Sequence, residues 1–124
     1  MGSFLSVHEA PQRISKHHNP VALRPGMIIS NEPGYYRDGA FGIRCENLVV
    51  VREQPGASEE IPMLEFEAIT LVPFDTRLLD TALMTPAELA WLNTYHRRVA
   101  TEIGPLLQGR DEAWLQRATR PVSP

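Results

Sequence analysis

The sequence contains a single cysteine, Cys45, among its 124 residues. One thiol cannot form an internal disulfide, which excludes a disulfide-stapled scaffold and is compatible with a reducing compartment. We therefore expect a cytoplasmic location. Cys45 lies inside an apolar run, where we expect it to be a small buried hydrophobic side chain rather than a reactive thiol.

Long apolar runs and an excess of positive charge are also missing. No stretch approaches the roughly 20 apolar residues that a membrane-spanning helix needs, and no basic segment followed by an apolar core resembles a signal peptide. The formal net charge of −3 gives no electrostatic reason to bind nucleic acid or an anionic lipid surface. We expect neither nucleic acid nor a membrane among its partners, and one small domain with a modest core.

The chain is organised around residues 30–51, where two glutamates adjoin strand-like apolar runs. Residues 27–29 lead into Glu32, and residues 48–51 follow Glu46. β-branched runs bounded by Gly and Pro predict buried strands. The connection between them contains Asp38-Gly39, a dipeptide that favours a hairpin. The two carboxylates are therefore expected to face each other across an antiparallel pair.

Two interpretations of these carboxylates stand side by side. A carboxylate at the end of a buried strand is costly unless a cation, a donor or a metal compensates it, and a facing pair suits an oxygen-rich metal site. Alternatively, Glu32 is a solvated strand-end residue before the Pro33-Gly34 turn. Arg44, two residues before Glu46 and on the same strand face, would then simply pair with it.

His8 is a candidate for acid–base work, because both protonation states of imidazole are accessible near pH 7. A lone histidine beside a glutamate, here Glu9, is more often a surface pair. Residues 12–25 have no clear period and predict a loop. The adjacent His17 and His18 point in different directions on most backbones and are poor chelators.

An amphipathic helix is predicted for residues 86–103. Thr85 and Glu88 form a capping box, with Pro86 at the first helical position. Apolar side chains follow at three- and four-residue spacing. They are Leu89, Leu92, Tyr95, Val99, Ile103 and Leu106.

Other C-terminal signals are shorter. Residues 64–74 predict a strand with apolar side chains on both faces. Gly104-Pro105 should kink or end the helix, Asp111 is a candidate cap of a short last helix, and residues 120–124 should fray. The predicted fold class is α+β, with antiparallel strands followed by C-terminal helices.

Several of these segments together resemble the aminopeptidase P (Xaa-Pro aminopeptidase) branch of the metallopeptidases that share the pita-bread fold with creatinase, prolidase and methionine aminopeptidase. The resemblance covers nearly the whole chain and is carried by long, ordered motifs. They are residues 2–9, 25–36, 39–47, 66–74 and 91–96.

This resemblance implies the C-terminal half of a pita-bread catalytic domain. Residues 1–79 would belong to that domain, and residues 80–124 would form a helical extension that packs on it or on a partner. The implied reaction is hydrolysis of the peptide bond between an N-terminal residue and a following proline. A homo-oligomer is also expected.

The resemblance assigns roles to four residues. Two divalent ions, usually Mn²⁺, share five protein ligands in this family, and the matching positions make Glu32 and Glu46 bridging ligands. His8 would handle a proton or bind substrate, and Arg44 would support the carboxylates. Catalytic roles are thus expected for His8, Arg44 and Glu32.

Three further ligands in this family, two aspartates and one histidine, precede the segment that aligns with Gly2. We therefore expect the chain to work with the upstream half of the catalytic domain as a partner, and to be inactive in isolation. The alternative is a non-catalytic remnant or association module that binds no metal.

Overall fold

A computed structural model of the chain describes residue 6, residues 11–58 and residues 60–124. The chain divides into two compact units, the first ending at Thr70 and the second beginning at Leu71. Strands lie in the first unit and helices in the second, which confirms the predicted order of elements. The proposed domain boundary after residue 79 stays a prediction.

Antiparallel strands form the first unit. Strands β1 (Ile28–Asn31), β4 (Asn47–Glu53) and β5 (Leu64–Ala68) make a sheet in the order β1-β4-β5. Strands β2 (Gly34–Arg37) and β3 (Phe41–Arg44) pair as a hairpin. Its turn contains Gly39 with a φ of 67°, a left-handed conformation that suits glycine. The hairpin predicted from Asp38-Gly39 is therefore confirmed.

The two paired segments share one register. Asn31 lies opposite Asn47 in the sheet, and Gly34 lies opposite Arg44 in the hairpin, so residues 28–37 and 41–50 form one antiparallel ribbon with a short interruption. Pro33 lies in the interruption and has no N–H to donate to a strand ladder. Its carbonyl still accepts a hydrogen bond from the Cys45 N–H at 3.1 Å.

The core of the first unit lies on one face of β1 and β4. Ile29, Val49 and Val51 are buried there, with Leu23 and Met27 packed against them. These odd-numbered side chains leave the even-numbered ones on the opposite face, because neighbouring side chains of a strand alternate. The opposite face of these strands carries Ser30 beside partly buried apolar side chains.

Two expectations about apolar burial in this unit are wrong. Cys45 is exposed, because it lies in the interruption opposite Pro33 rather than inside a strand. The last strand ends at Ala68 and not at residue 74, and half of the Phe66 surface is exposed. That strand is at the edge of its sheet, and Pro73 could not continue a ladder.

Helices dominate the second unit. Helix α1 spans Pro86–Ile103 and helix α2 spans Gly109–Ala118, with 3₁₀ turns at Thr76–Leu78, Thr81–Leu83 and Gly104–Leu106. The α1 bounds match the sequence prediction, and its capping box is formed: Thr85 N–H donates to Glu88 Oε2 at 2.7 Å and Glu88 N–H donates to Thr85 Oγ1 at 3.3 Å. The hydrogen bonds that the Thr85 N–H and the Thr85 hydroxyl donate to the Glu88 carboxylate lower the pKa of Glu88.

The buried stripe of α1 contains a polar residue that periodicity did not single out. Leu89, Leu92, Tyr95 and Val99 are buried as predicted, and His96 lies among them with none of its surface exposed. Its Nε2 accepts a hydrogen bond from the Phe74 N–H at 3.1 Å. Burial lowers the pKa of His96, since desolvation disfavours the charged imidazolium.

The end of the chain differs from the prediction in two ways. Asp111 lies within the first turn of α2, which begins at Gly109 with Gln108 as its uncapped N-terminal flank. The Asn93 side chain accepts from the Val122 N–H and donates to the Val122 carbonyl, both at 2.9 Å. These two hydrogen bonds hold the chain against α1 as far as Val122, so residues 120–122 are not frayed. In the described ranges, no helix is both long and apolar enough to cross a membrane.

Candidate metal centre

The interruption of the ribbon brings Glu32 and Glu46 to opposed positions. Glu32 follows the last residue of β1, and Glu46 precedes the first residue of β4. Because Asn31 and Asn47 are paired and the register continues into the hairpin, the two glutamates lie opposite each other. The sequence expectation that these residues meet across an antiparallel pair is confirmed.

Arg44 joins the two carboxylates. Its Nη1 lies 3.2 Å from Glu32 Oε2 and 3.5 Å from Glu46 Oε2. Glu32 is the more buried, with 24% of its side chain exposed against 40% for Glu46 and 48% for Arg44. We call these three residues the charged cluster. Two carboxylates against one guanidinium leave it with a net negative charge, which favours a bound cation.

Ser30 holds the other oxygen of Glu32. The Ser30 Oγ–H donates to Glu32 Oε1 at 2.8 Å. Both carboxylate oxygens of Glu32 therefore have a partner, one a hydroxyl and one a guanidinium nitrogen. A carboxylate fixed at both oxygens presents its remaining lone pairs in a defined direction, as a metal ligand requires.

Tyr36 fixes the other end of Arg44. Arg44 Nε donates to the Tyr36 hydroxyl at 2.9 Å, and the guanidinium carbon lies 6.0 Å from the ring centroid. The hydrogen bond to Tyr36 is the main cause of a raised pKa of Arg44, and the charge of Glu32 adds to it. Arg44 therefore stays charged while its Nη1 faces the carboxylates.

Sequence reasoning found part of this arrangement. The structure brings Glu32, Arg44 and Glu46 together, whereas His8 lies outside the described residues. The sequence alone did not indicate Ser30 and Tyr36. Ser30 lies two residues before Glu32, and Tyr36 lies on the same hairpin as Arg44. Their signal was the register, which a pass along the sequence does not supply.

The donor chemistry fits hard divalent ions. Carboxylate oxygens are the ligands that Mg²⁺, Ca²⁺ and Mn²⁺ prefer, and two of them converge here beside a net negative charge. No group of three or more His, Cys, Asp or Glu side chains with metal-binding geometry occurs in residues 11–58 and 60–124. The charged cluster thus offers two ligands of such a site.

Comparison with known proteins identifies the family. Residues 1–53 match the model of metallopeptidase family M24, and residues 62–122 match that of the C-terminal region of peptidase_M24. The chain belongs to metallopeptidase family M24. This M24 chain is similar to a solved X-prolyl aminopeptidase from Caenorhabditis elegans, which is described as a cytosolic enzyme with a di-nuclear active site. The match covers 81% of this chain and 17% of the C. elegans chain. That match has a TM-score of 0.71 and 36% sequence identity.

Curated relatives of this M24 chain carry related names. It is 45% identical over 128 residues to a probable Xaa-Pro aminopeptidase P from Coprinopsis cinerea, covering 98% of this chain and 21% of that protein. It is 46% identical to aminopeptidase P2 of Arabidopsis thaliana, covering 99% of this chain and 18% of that protein. The M24 chain therefore spans about a fifth of the length of these relatives. Its strands and helices have the α+β fold of the C-terminal half of a pita-bread aminopeptidase, as expected.

Proposed function

We propose that this M24 chain forms part of a dinuclear-metal Xaa-Pro aminopeptidase and contributes two of its metal ligands, Glu32 and Glu46. The enzyme would hydrolyse the peptide bond between an N-terminal residue and a following proline. The observation that carries the proposal is the convergence of both carboxylates on Arg44 in the gap of the ribbon. The names of the similar proteins supply the reaction class.

Each residue of the cluster has a distinct task in this proposal. Glu32 and Glu46 would hold two divalent ions. We propose Mn²⁺ because it is the usual metal of the family that the sequence resembles, and hard oxygen donors suit it. Ions in such a pair make a water molecule nucleophilic near neutral pH. Arg44 orients both carboxylates, and Ser30 fixes the second oxygen of Glu32.

His8 keeps its proposed role at the substrate. An imidazole there would orient the proline carbonyl or exchange a proton with the reacting peptide. The remaining ligands, two aspartates and a histidine, would come from the upstream half of the catalytic domain. The other proposed partners are a proline-containing peptide and further copies of the protein. The cytosolic description of the C. elegans enzyme supports a cytoplasmic location.

A second candidate is a non-catalytic remnant or association module that binds no metal. One observation favours it: Arg44 contacts both carboxylates and compensates part of their charge. In this case, the cluster would be an ion-pair network on a half-exposed surface. Such pairs stabilise a fold by at most about 1 kcal/mol.

Paramagnetic broadening by Mn²⁺ separates these candidates. Titrating Mn²⁺ into the ¹⁵N-labelled chain should broaden the amide signals of Glu32 and Glu46 first, because broadening falls steeply with distance from the ion. Glu32→Gln and Glu46→Gln should each weaken the effect. Uniform broadening that neither variant alters would support the non-catalytic candidate and contradict the proposed site.

A peptidase assay tests whether the chain needs the ligands of the upstream half to be active. The purified chain with Mn²⁺ and an Xaa-Pro dipeptide should give no cleavage above that of the Glu46→Gln variant, because two carboxylates cannot hold the complete dinuclear centre. Robust Mn²⁺-dependent cleavage that Glu46→Gln abolishes would show that the missing ligands are not required.

A further inference from the structure

The ring of Tyr36 lies against the backbone of two glycines. A Cβ atom placed on Gly42 would be 2.8 Å from Tyr36 Cδ1 and 3.2 Å from Cε1, and one placed on Gly34 would be 2.6 Å from the Tyr36 hydroxyl oxygen. Real Cβ atoms essentially never approach other heavy atoms below 3.0 Å. The ring therefore occupies the space that side chains at these two positions would fill.

Backbone conformation does not explain these glycines. The positive-φ glycines are Gly26, Gly39, Gly56 and Gly109 in the described ranges, so Gly34 and Gly42 are not among them. Gly42 lies in β3 directly opposite Tyr36. An alanine at this position would suit the extended backbone, and the obstacle to it is the aromatic ring.

The position of the ring matters because it sets the position of Arg44. Tyr36 is 59% exposed, so packing around it constrains the ring weakly, and an exposed tyrosine ordinarily samples several rotamers. The rotamer that places the ring against Gly42 also brings the hydroxyl within 2.9 Å of Arg44 Nε. The same guanidinium contacts Glu32 and Glu46 through Nη1.

We propose that Gly42 is a positioning residue of the metal centre: its missing side chain seats the Tyr36 ring, which holds Arg44 between the two carboxylates. Gly34 completes the seat beneath the hydroxyl. Gly42 is the more critical of the two, because its contact is with the rigid base of the ring rather than with the tip. The importance of this seat for catalysis rests on the proposed function, whereas the seat itself does not.

The direct test is the Nε–H signal of Arg44 in NMR spectra of the ¹⁵N-labelled chain. Gly42→Ala should speed hydrogen exchange of this group by about tenfold or more, the factor expected for one lost hydrogen bond from a charged donor, and Tyr36→Phe should do the same. Gly104→Ala is the matched control, because a Cβ there meets no atom within 4 Å. An Arg44 signal that changes in Tyr36→Phe and not in Gly42→Ala would overturn the proposal.

A stability cycle keeps the proposal testable if Gly42→Ala folds poorly. Gly42→Ala should lower the urea midpoint of the chain when Tyr36 is present. In a Tyr36→Ala background it should leave the midpoint unchanged or raise it, because the ring is then gone and alanine suits an extended backbone. Equal shifts of the urea midpoint in both backgrounds would show that Gly42 does not act through the Tyr36 ring.

Mn²⁺ titration distinguishes this inference from the proposed function. Faster Arg44 exchange in Gly42→Ala, with no Mn²⁺ binding by the parent chain, would support the seat and contradict the metal site. Mn²⁺ binding by the parent chain, with unchanged Arg44 exchange in Gly42→Ala, would overturn the seat and leave the metal site standing.

Discussion

Two sets of polar residues, one in each unit, are placed in opposite ways. In the first unit, Glu32, Arg44 and Glu46 are partly exposed and meet one another. In the second unit, His96 is fully buried, and its Nε2 accepts from a backbone N–H. A buried polar side chain that is hydrogen-bonded to the backbone stabilises the fold. Partly exposed carboxylates that converge with a net charge add little to stability and are suited to bind a ligand.

The largest expected effect is on the core of the second unit. Leu92→Ala should lower the free energy of unfolding by about 3 kcal/mol, because Leu92 is only 3% exposed and its removal leaves a cavity. Urea denaturation followed by tryptophan fluorescence measures this loss. Leu83→Ala is the matched control, since Leu83 is 82% exposed. Similar losses in both variants would contradict the assigned core.

The capping box should contribute less. Thr85→Ala removes the acceptor of the Glu88 N–H and should lower the free energy of unfolding by about 1 kcal/mol. Thr101→Ala removes the same atoms from an exposed position inside α1. The cap assignment fails if the two variants have the same stability in thermal melts.

His96 should make the second unit sensitive to acid. Its pKa lies below the ordinary 6.5 in the folded state, so the unfolded chain takes up a proton first as the pH falls. Stability should be complete above pH 6.5 and decrease below it. His96→Gln should flatten that part of the profile of urea midpoint against pH, and His18→Gln, at an exposed loop position, should not. An unchanged slope in His96→Gln would count against the buried neutral imidazole.

The smallest effect is expected at the charged cluster. Arg44→Met should leave the free energy of unfolding nearly unchanged, because half of the Arg44 side chain is exposed and exposed ion pairs add little to stability. Arg77→Met, which breaks the exposed Arg77–Asp75 pair, is a matched control for the loss of a surface pair. A loss comparable with that of Leu92→Ala would mean that the cluster is a structural element, and the contrast between the two units would disappear.

Local signals predicted the helices well. Thr85, Pro86 and Glu88 specify the start of α1 through contacts within one turn, and Gly104-Pro105 marks its end. The Asp111 cap was wrong because the chain turns into α2 at Gly109, where φ is 58°. A left-handed glycine at a helix start is a backbone choice that the identity of a later aspartate does not reveal.

The candidate site depended on distant pairing, and it was predicted in part. The facing of Glu32 and Glu46 followed from the two apolar runs and the Asp38-Gly39 turn. The contacts of Ser30 and Tyr36 required the register, because they join strands rather than neighbours in sequence. The burial of Cys45 was wrong for a related reason: Pro33, twelve residues earlier, interrupts the ladder opposite it.

Isothermal titration of Mn²⁺ into the purified chain measures whether Glu32 and Glu46 act together as metal ligands. We expect binding that the double variant Glu32→Ala/Glu46→Ala abolishes. The matched control Glu53→Ala/Glu65→Ala, which removes two exposed carboxylates from β4 and β5, should retain it. Absence of binding by the parent chain, or equal binding by the parent and the Glu32→Ala/Glu46→Ala variant, would mean that the two glutamates do not form a metal site.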